Sequence, residues 1–266
     1  MSRRSAIPAA AILVVSAMLL LSLTALGQRA PRSGQSGLTI PSYCNPCLEY
    51  AGDFDPNNAQ ANGLANSCTL DYDCSDPSES NIVYVPFTVP VGQQWQVSGL
   101  FTNNISTVSV IDPPEAYWSI SILKKAGQPN EVLYEGTSPA SFTLTGMGAP
   151  LINVYNVLVK NIKTPTGGPI VLKAGRYWLA VVPQCTNASD SACSSAEYFA
   201  ADVEDMPPPN QFGPPEPWDD SFFYSATFGF DYEPTWGPSG PCSGVGCDAF
   251  SAGVVGKAMP DDGPAE

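Results

Sequence analysis

Asp53, Asp55 and Asn57 alternate within Gly52-Asp-Phe-Asp-Pro-Asn-Asn-Ala-Gln-Ala-Asn-Gly-Leu-Ala-Asn66, the spacing at which side-chain oxygens open a calcium loop. A structural calcium ion is the one cofactor this sequence suggests. The EF-hand pattern then breaks, because Asn58 takes its glycine position and Leu64 the position of its bidentate glutamate. Asx turns, in which the same oxygens bond the local backbone, are the favoured account of the segment. Asp71, Asp73 and Asp76 form a second acidic group around Cys74.

The chain has no histidine, which removes the commonest general base and the commonest metal ligand together. Ser-His-Asp and Cys-His catalysis and His-ligated zinc are excluded, leaving carboxylates, tyrosine, lysine or a hard metal ion. Glycosidase chemistry needs two carboxylates roughly 5 to 9.5 Å apart. Glu131 and Glu135, four apart on one expected strand, would share a face at about 13 Å. That is too far, and no other pair is selected by the sequence, so no catalytic residue is assigned.

Five tryptophans raise the question of stacking on sugar rings. Trp95, Trp118 and Trp178 lie on apolar faces of expected strands and read as core. Trp218 and Trp236 lie in Pro/Gly-rich segments with Asp219, Asp220 and Tyr232 nearby, and these five residues are the candidate ligand surface. Asn104-Ile-Ser106 and Asn187-Ala-Ser189 match the N-glycosylation sequon, a match that chance explains.

Eight cysteines, Cys44, Cys47, Cys68, Cys74, Cys185, Cys193, Cys242 and Cys247, form an even set that reads as structural disulfides. Close spacing favours local staples such as Cys68 with Cys74, Cys185 with Cys193, and Cys242 with Cys247. Cys44-Asn-Pro-Cys47 has the spacing of a redox or zinc half-site, but no strand-helix context surrounds it.

The disulfide reading depends on export, and the first residues supply it. Arg3 and Arg4 precede an apolar run from Ile7 to Leu26 that closes on Ala25-Leu26-Gly27, a signal peptide over residues 1–27 with Gln28 as the mature N-terminus. The run is also just long enough, at about 20 residues, to stay as an uncleaved anchor. The mature protein is expected to be secreted or extracytoplasmic, in periplasm, cell surface or medium, without a further membrane segment. Losing Arg3 and Arg4 leaves nine basic residues against 25 acidic ones, a charge of −16. Nucleic acid is an improbable partner for such a chain, since its binding rests on neutralising phosphates with Lys and Arg.

The elements that must position these residues are strands. Val83, Val85, Phe87 and Val89 share one face, as do Trp95, Val97, Gly99 and Phe101, while Trp118, Ile120 and Ile122 face away from Ser119 and Ser121. Further strands are expected over Glu131 to Glu135, Ser141 to Thr145, Ile152 to Ile162, Arg176 to Pro183, Ser221 to Phe230 and Ala249 to Val255. Arg176 to Pro183 is apolar on both faces and should be central, whereas Pro86 puts its strand at an edge or a bulge. Turn residues punctuate the runs, and no segment keeps a helical period. The expected fold is all-β, an antiparallel two-sheet sandwich of jelly-roll type. One domain over residues 38–258, with disulfide-stapled flanks, follows a disordered leader at 28–37 and precedes a disordered tail at 259–266. Met206 to Pro217 reads as a proline-rich surface loop.

The order Gly52-Asp-Phe-Asp-Pro-Asn, Asn62-Gly-Leu-Ala-Asn66, Trp95-Gln-Val-Ser-Gly-Leu-Phe, Tyr117-Trp-Ser-Ile, Gly175-Arg-Tyr-Trp-Leu-Ala-Val-Val-Pro183 and Phe250-Ser-Ala-Gly-Val-Val-Gly256 resembles a group of exported bacterial β-sandwich proteins of unassigned activity. The likeness covers most of residues 50 to 256. It implies fold and export, and it transfers no active site. Some members carry a C-terminal sorting tail; here Pro215-Glu-Pro217 resembles the sorting tripeptide, but no apolar run with a basic end follows it.

The leading expectation is a non-enzymatic extracytoplasmic surface, matrix or glycan-binding module, with a polysaccharide or a surface protein as partner. A carboxylate-dependent glycan-active enzyme of jelly-roll type and a self-assembling structural surface protein are the alternatives.

Overall fold

In the computed structural model, alternating residues build strands, and bulges and one bent strand decide which way they point. The structure describes residues 40–54, 66–68, 80–106, 115–122, 131–147, 153–184, 198–203, 212–213, 221–225, 230–234 and 249–261. These lie in the compact unit Leu38–Glu266. In chain order the strands are β1 (Cys47–Tyr50), β2 (Ser67–Cys68), β3 (Ser80–Val89), β4 (Gln93–Ser106), β5 (Glu115–Ile122), β6 (Glu131–Leu144), β7 (Asn153–Lys160), β8 (Ile170–Leu172), β9 (Gly175–Gln184), β10 (Tyr198–Ala200), β11 (Asp202–Val203), β12 (Phe222–Ser225), β13 (Phe230–Pro234), β14 (Ala249–Phe250) and β15 (Ala252–Pro260). The fold is all-β, with no helix among the described residues.

The main sheet follows one hydrogen-bonded path, β1-β15-β4-β7-β6-β5-β9-β2-β3-β12-β13, with β8 and β10 also on β4 and β3 also on β9. Its pairings are antiparallel except for the contact of β2 with β9. β6 is the hinge of the path, since Glu131 to Pro139 pair with β5 and Ala140 to Leu144 pair with β7. What reads as two short strands in sequence is one strand serving both halves. The halves bury a common core in which Trp95, Val97, Leu100, Val157 and Val254 of one meet Val83, Val85, Phe87, Trp118 and Leu179 of the other. At one side Glu49 Oε2 of β1 accepts the N–H of Thr88 of β3 at 3.3 Å, linking the halves.

Bulges correct two of the expected faces. Val255 pairs with Gly99 but Gly256 with Val97, so Ser98 is an extra residue in β4. Trp95 and Val97 therefore share the core with Leu100, while Phe101 turns to a separate cluster with Cys44, Tyr50, Leu158 and Val255. In β6, Tyr134 pairs with Ile120 and Val132 with Ser121, making Leu133 the extra residue. Glu131 then stands opposite Ile122 and Glu135 opposite Ser119, three apart on β5 and hence on opposite faces.

The remaining expectations resolve along the same lines. β9 is central, flanked by β5 and β3, and buried from Tyr177 to Pro183. Pro86 pairs with Trp178 beyond the reach of β12, which covers Asn81 to Tyr84. Thr88, on the same side of the strand as Pro86, sends its N–H to Glu49, so the ring lies where a local edge needs no ladder donor. The expected strand Ser221 to Phe230 divides into β12 and β13, and the terminal strand reaches Pro260. Asp261 still donates its N–H to Gly92 O at 3.0 Å, so order extends past Ala258, where the sequence ended the domain. Gly92 supplies a positive φ of 80° in the Pro90-Val-Gly92 turn, whose Gln93 N–H returns to Pro90 O. The leader, the Met206 to Pro217 loop except Phe212 and Gly213, and residues 262–266 lie outside the described residues.

Candidate functional site

β4 breaks its own alternation at Thr102-Asn103-Asn104, three consecutive polar residues that are all buried. An extended chain sends them to alternate faces, and each face builds a hydrogen-bonded set around them. Toward the core, Asn66 Nδ2 donates to Asn104 Oδ1 at 2.8 Å and to Val181 O at 2.9 Å, and Thr102 Oγ1 donates to the same carbonyl at 2.8 Å. Asn104 Nδ2 closes the set by donating to Thr102 Oγ1 at 2.9 Å. A side chain so engaged and fully buried cannot carry a glycan in the folded protein, which rules out the Asn104 sequon.

On the other face Asn103 is the hub. Its Nδ2 donates to Ser251 Oγ at 2.7 Å and to Tyr43 OH at 3.2 Å, and its Oδ1 accepts Asn156 Nδ2 at 3.0 Å. Its backbone N–H donates to Ser251 O at 2.8 Å and its carbonyl accepts Ala201 N–H at 2.9 Å. Beside it the Tyr50 hydroxyl donates to Asp53 Oδ1 at 2.5 Å. Gly253 makes room for this packing, because a Cβ there would stand 2.4 Å from Phe101 Cζ and 2.5 Å from Glu49 O.

Electrostatics fixes the protonation of these tyrosines. Burial pushes Tyr50 far above the ordinary phenol value, and the nearby Tyr43 and Asp53 push the same way. Tyr43 is raised chiefly by burial, and Tyr177 by burial and then by Tyr134. All three stay protonated at neutral pH and act as donors or acceptors, not as bases. Asp53 is half-buried and is the one member of the expected calcium triplet among the described residues; Asp55 and Asn57 lie outside them, as do Asp71, Asp73 and Asp76. Among the described residues no three Cys, Asp or Glu side chains converge to hold a metal ion.

A second assembly covers the outer face of the β5-β9-β3-β12 region. Tyr117, Trp178, Tyr84 and Phe222 pack there with Ile82, Ala180 and Val182, and Tyr224 packs against them. The Arg176 guanidinium lies 5.3 Å from the Trp178 ring, and Tyr117 OH donates to Glu135 Oε2 at 2.8 Å. Trp95 and Trp118 are buried in the main core and Trp178 in this outer cluster, so all three are packing residues.

The candidate ligand residues Trp218, Asp219, Asp220 and Trp236 lie outside the described residues. Tyr232 falls on β13, the last strand of the path. There Phe223 pairs with Glu233 and Ser225 with Phe230, so a bulge places the backbone of Asp231 and Tyr232 opposite the single residue Tyr224.

Cys44 and Cys47 form a disulfide in the turn entering β1, with Cys44 buried against Tyr50 and Phe101. The turn docks on β15 through Gly256 N–H to Pro46 O at 3.0 Å. Its setting is a turn on a sheet face, where the pair clips Tyr43 over Phe101 at 5.2 Å. Of the other cysteines Cys68 is placed as backbone in β2, and Cys74, Cys185, Cys193, Cys242 and Cys247 lie outside the described residues.

Sequence reasoning passed over Asn103, Asn156, Ser251, Tyr43 and Tyr50. The available signal was the polar run in β4, which an amphipathic strand does not explain. No family model, no curated protein and no solved structure matches the chain.

Proposed function

We propose that the chain is an extracytoplasmic, non-enzymatic surface, matrix or glycan-binding module, built on a sandwich of jelly-roll type and related to the exported bacterial β-proteins it resembles. The observation that carries this reading is the commitment of its polar interior. Tyr50 is spent on Asp53, Asn103 on Ser251, Tyr43 and Asn156, and Asn66 on Asn104 and Val181, so these groups tie β4, β7, β9 and the residue between β14 and β15 together. Their chemistry is cohesive. The signal sequence and the Cys44–Cys47 disulfide support an oxidising, extracytoplasmic location.

The ligand surface in this reading is the sequence around Trp218, Asp219, Asp220 and Trp236 together with Tyr232, and the partner is a polysaccharide or a surface protein. Its support is the place of Tyr232 on the last strand of the path, paired with β12, whose Phe222 and Tyr224 belong to the outer aromatic cluster. The test is a panel of immobilised polysaccharides probed with the mature protein, with and without calcium, alongside a reducing-sugar assay. Retention without bond cleavage, weakened by Trp218→Ala or Trp236→Ala, is the expected result. Reducing-sugar release that disappears on replacing one Asp or Glu would replace the binding module with the carboxylate enzyme.

A further inference from the structure

Charge is distributed unevenly along the strands. Lys160, Lys163, Lys173, Arg176 and Lys257 are the basic residues among those described. They gather in one half of the molecule, where β4 and β9 begin and β7, β8 and β15 end. Lys160 stands opposite Gly99 and Lys257 opposite Gln96, on the two strands flanking β4. Phe101 and Leu158 share a register pair on the outer side, and Lys160, two residues beyond Leu158, projects to that same side. The bulge at Ser98 sends Lys257 outward too, since its partner Gln96 lies between the core residues Trp95 and Val97. Two strand spacings across and three residues along put their Cα atoms about 14 Å apart.

Lys173 is paired with Asp261 at 2.6 Å. Lys160, Lys163 and Lys257 are exposed, and among the described residues they have no carboxylate partner. Three exposed cations in one half of a chain with 25 acidic residues and 11 basic ones concentrate positive charge there, where Glu131 and the paired Asp261 are the carboxylates also found among the described residues. Asp53 and Glu115 mark the opposite half, where β4 and β9 end and no lysine or arginine is found among the described residues.

We propose that the end bearing Lys160, Lys163 and Lys257 docks a second copy of this chain, head to tail, against that copy's opposite end, where Asp53 and Glu115 lie and no lysine or arginine stands among the described residues. The complementarity lies within one sequence, because the acidic surplus of each copy supplies what the lysines of the next lack. A contact between two different surfaces does not close on itself, so it propagates into open chains unless the rotation happens to form a ring. Net negative charge opposes approach when screening is weak. At about 0.15 M salt the screening length falls to about 8 Å, which leaves contacts at the face while suppressing the long-range repulsion. At about 1 M the contacts are screened as well.

The experiment is sedimentation velocity of the mature protein from micromolar to millimolar concentration at low, physiological and high salt. The wild type should at least double its mean mass with concentration at physiological salt and less so at either extreme. A Lys160→Glu, Lys163→Glu, Lys257→Glu variant should stay monomeric with an unchanged melting temperature, these side chains being exposed. Because it keeps its acidic surface, a minor fraction of it added to wild type should cap growth and lower the mean mass. A wild type that stays monomeric throughout, or a variant that associates equally well, overturns the proposal. So does a monomeric wild type that an anionic polysaccharide resin retains and the variant does not, which would give the face to a polyanion.

Discussion

Replacing Asn103 by alanine tests whether the outer polar set of β4 binds β4 to β7 and to the segment entering β15. The side chain makes three hydrogen bonds at 2.7, 3.0 and 3.2 Å inside a fully buried site. Each contributes about 1 kcal/mol net, and leaving the Asn156 amide buried without its acceptor adds about 1 kcal/mol or more. Ser251 Oγ keeps Gly52 O as a partner, so its loss is partial. The expected destabilisation is about 4 kcal/mol. With a urea slope of about 3 kcal/mol/M, at the upper end for a domain of this size, the midpoint should fall by about 1.3 M with the slope unchanged. Tyr43→Phe, which deletes the longest of the three bonds and the hydroxyl's contact with Tyr50, should cost about 1–2 kcal/mol and move the midpoint by about 0.3–0.7 M. Urea titrations followed by tryptophan fluorescence read both. If Asn103→Ala shifts the midpoint no more than Tyr43→Phe, the set is not cohesive and the argument from it fails.

Alkaline pH should unfold the protein through its buried tyrosines: with folded-state values raised, the folded chain keeps protons that the unfolded chain releases above about pH 10, so stability is intact below that pH and falls above it by about 1.4 kcal/mol per pH unit for each such residue. Tyr50→Phe should remove one residue's share of that slope in urea titrations run between pH 9 and about 11, and an unchanged slope would show that Tyr50 ionises as freely folded as unfolded. Gly253→Ala should cost about 3 kcal/mol in the same assay, since the added methyl meets both the Phe101 ring and the Glu49 carbonyl; a loss under about 1 kcal/mol would mean that β1 yields easily. Calcium bound at the loop beginning with Asp53 should stabilise the fold by about 2.7 kcal/mol at a hundredfold excess over its dissociation constant, raising the melting temperature relative to chelator. That shift should vanish with Asp53→Ala or Asp55→Ala, and a melt that calcium leaves unmoved returns the segment to Asx turns.

Residue type and spacing were enough for the strand class, the burial of Trp95, Trp118 and Trp178, and the central place of β9, because period-two alternation and apolar runs are local properties of the chain. They were also enough to exclude histidine chemistry. What they could not contain is register. One extra residue at Ser98 or Leu133 inverts every later side chain on its strand, which turned Phe101 away from Trp95 and parted Glu131 from Glu135. Asn103 illustrates the second limit: in sequence it is a polar interruption, and its partners Tyr43, Asn156 and Ser251 come from segments up to 148 residues away. Net charge was legible at once, but its segregation was not, since Lys160 and Lys257 become neighbours only through their common partner β4. Local periodicity depends on neighbours in the chain, whereas faces, buried partners and surface charge depend on which strands pair and in what register, and that is settled only when the sheet closes over its core.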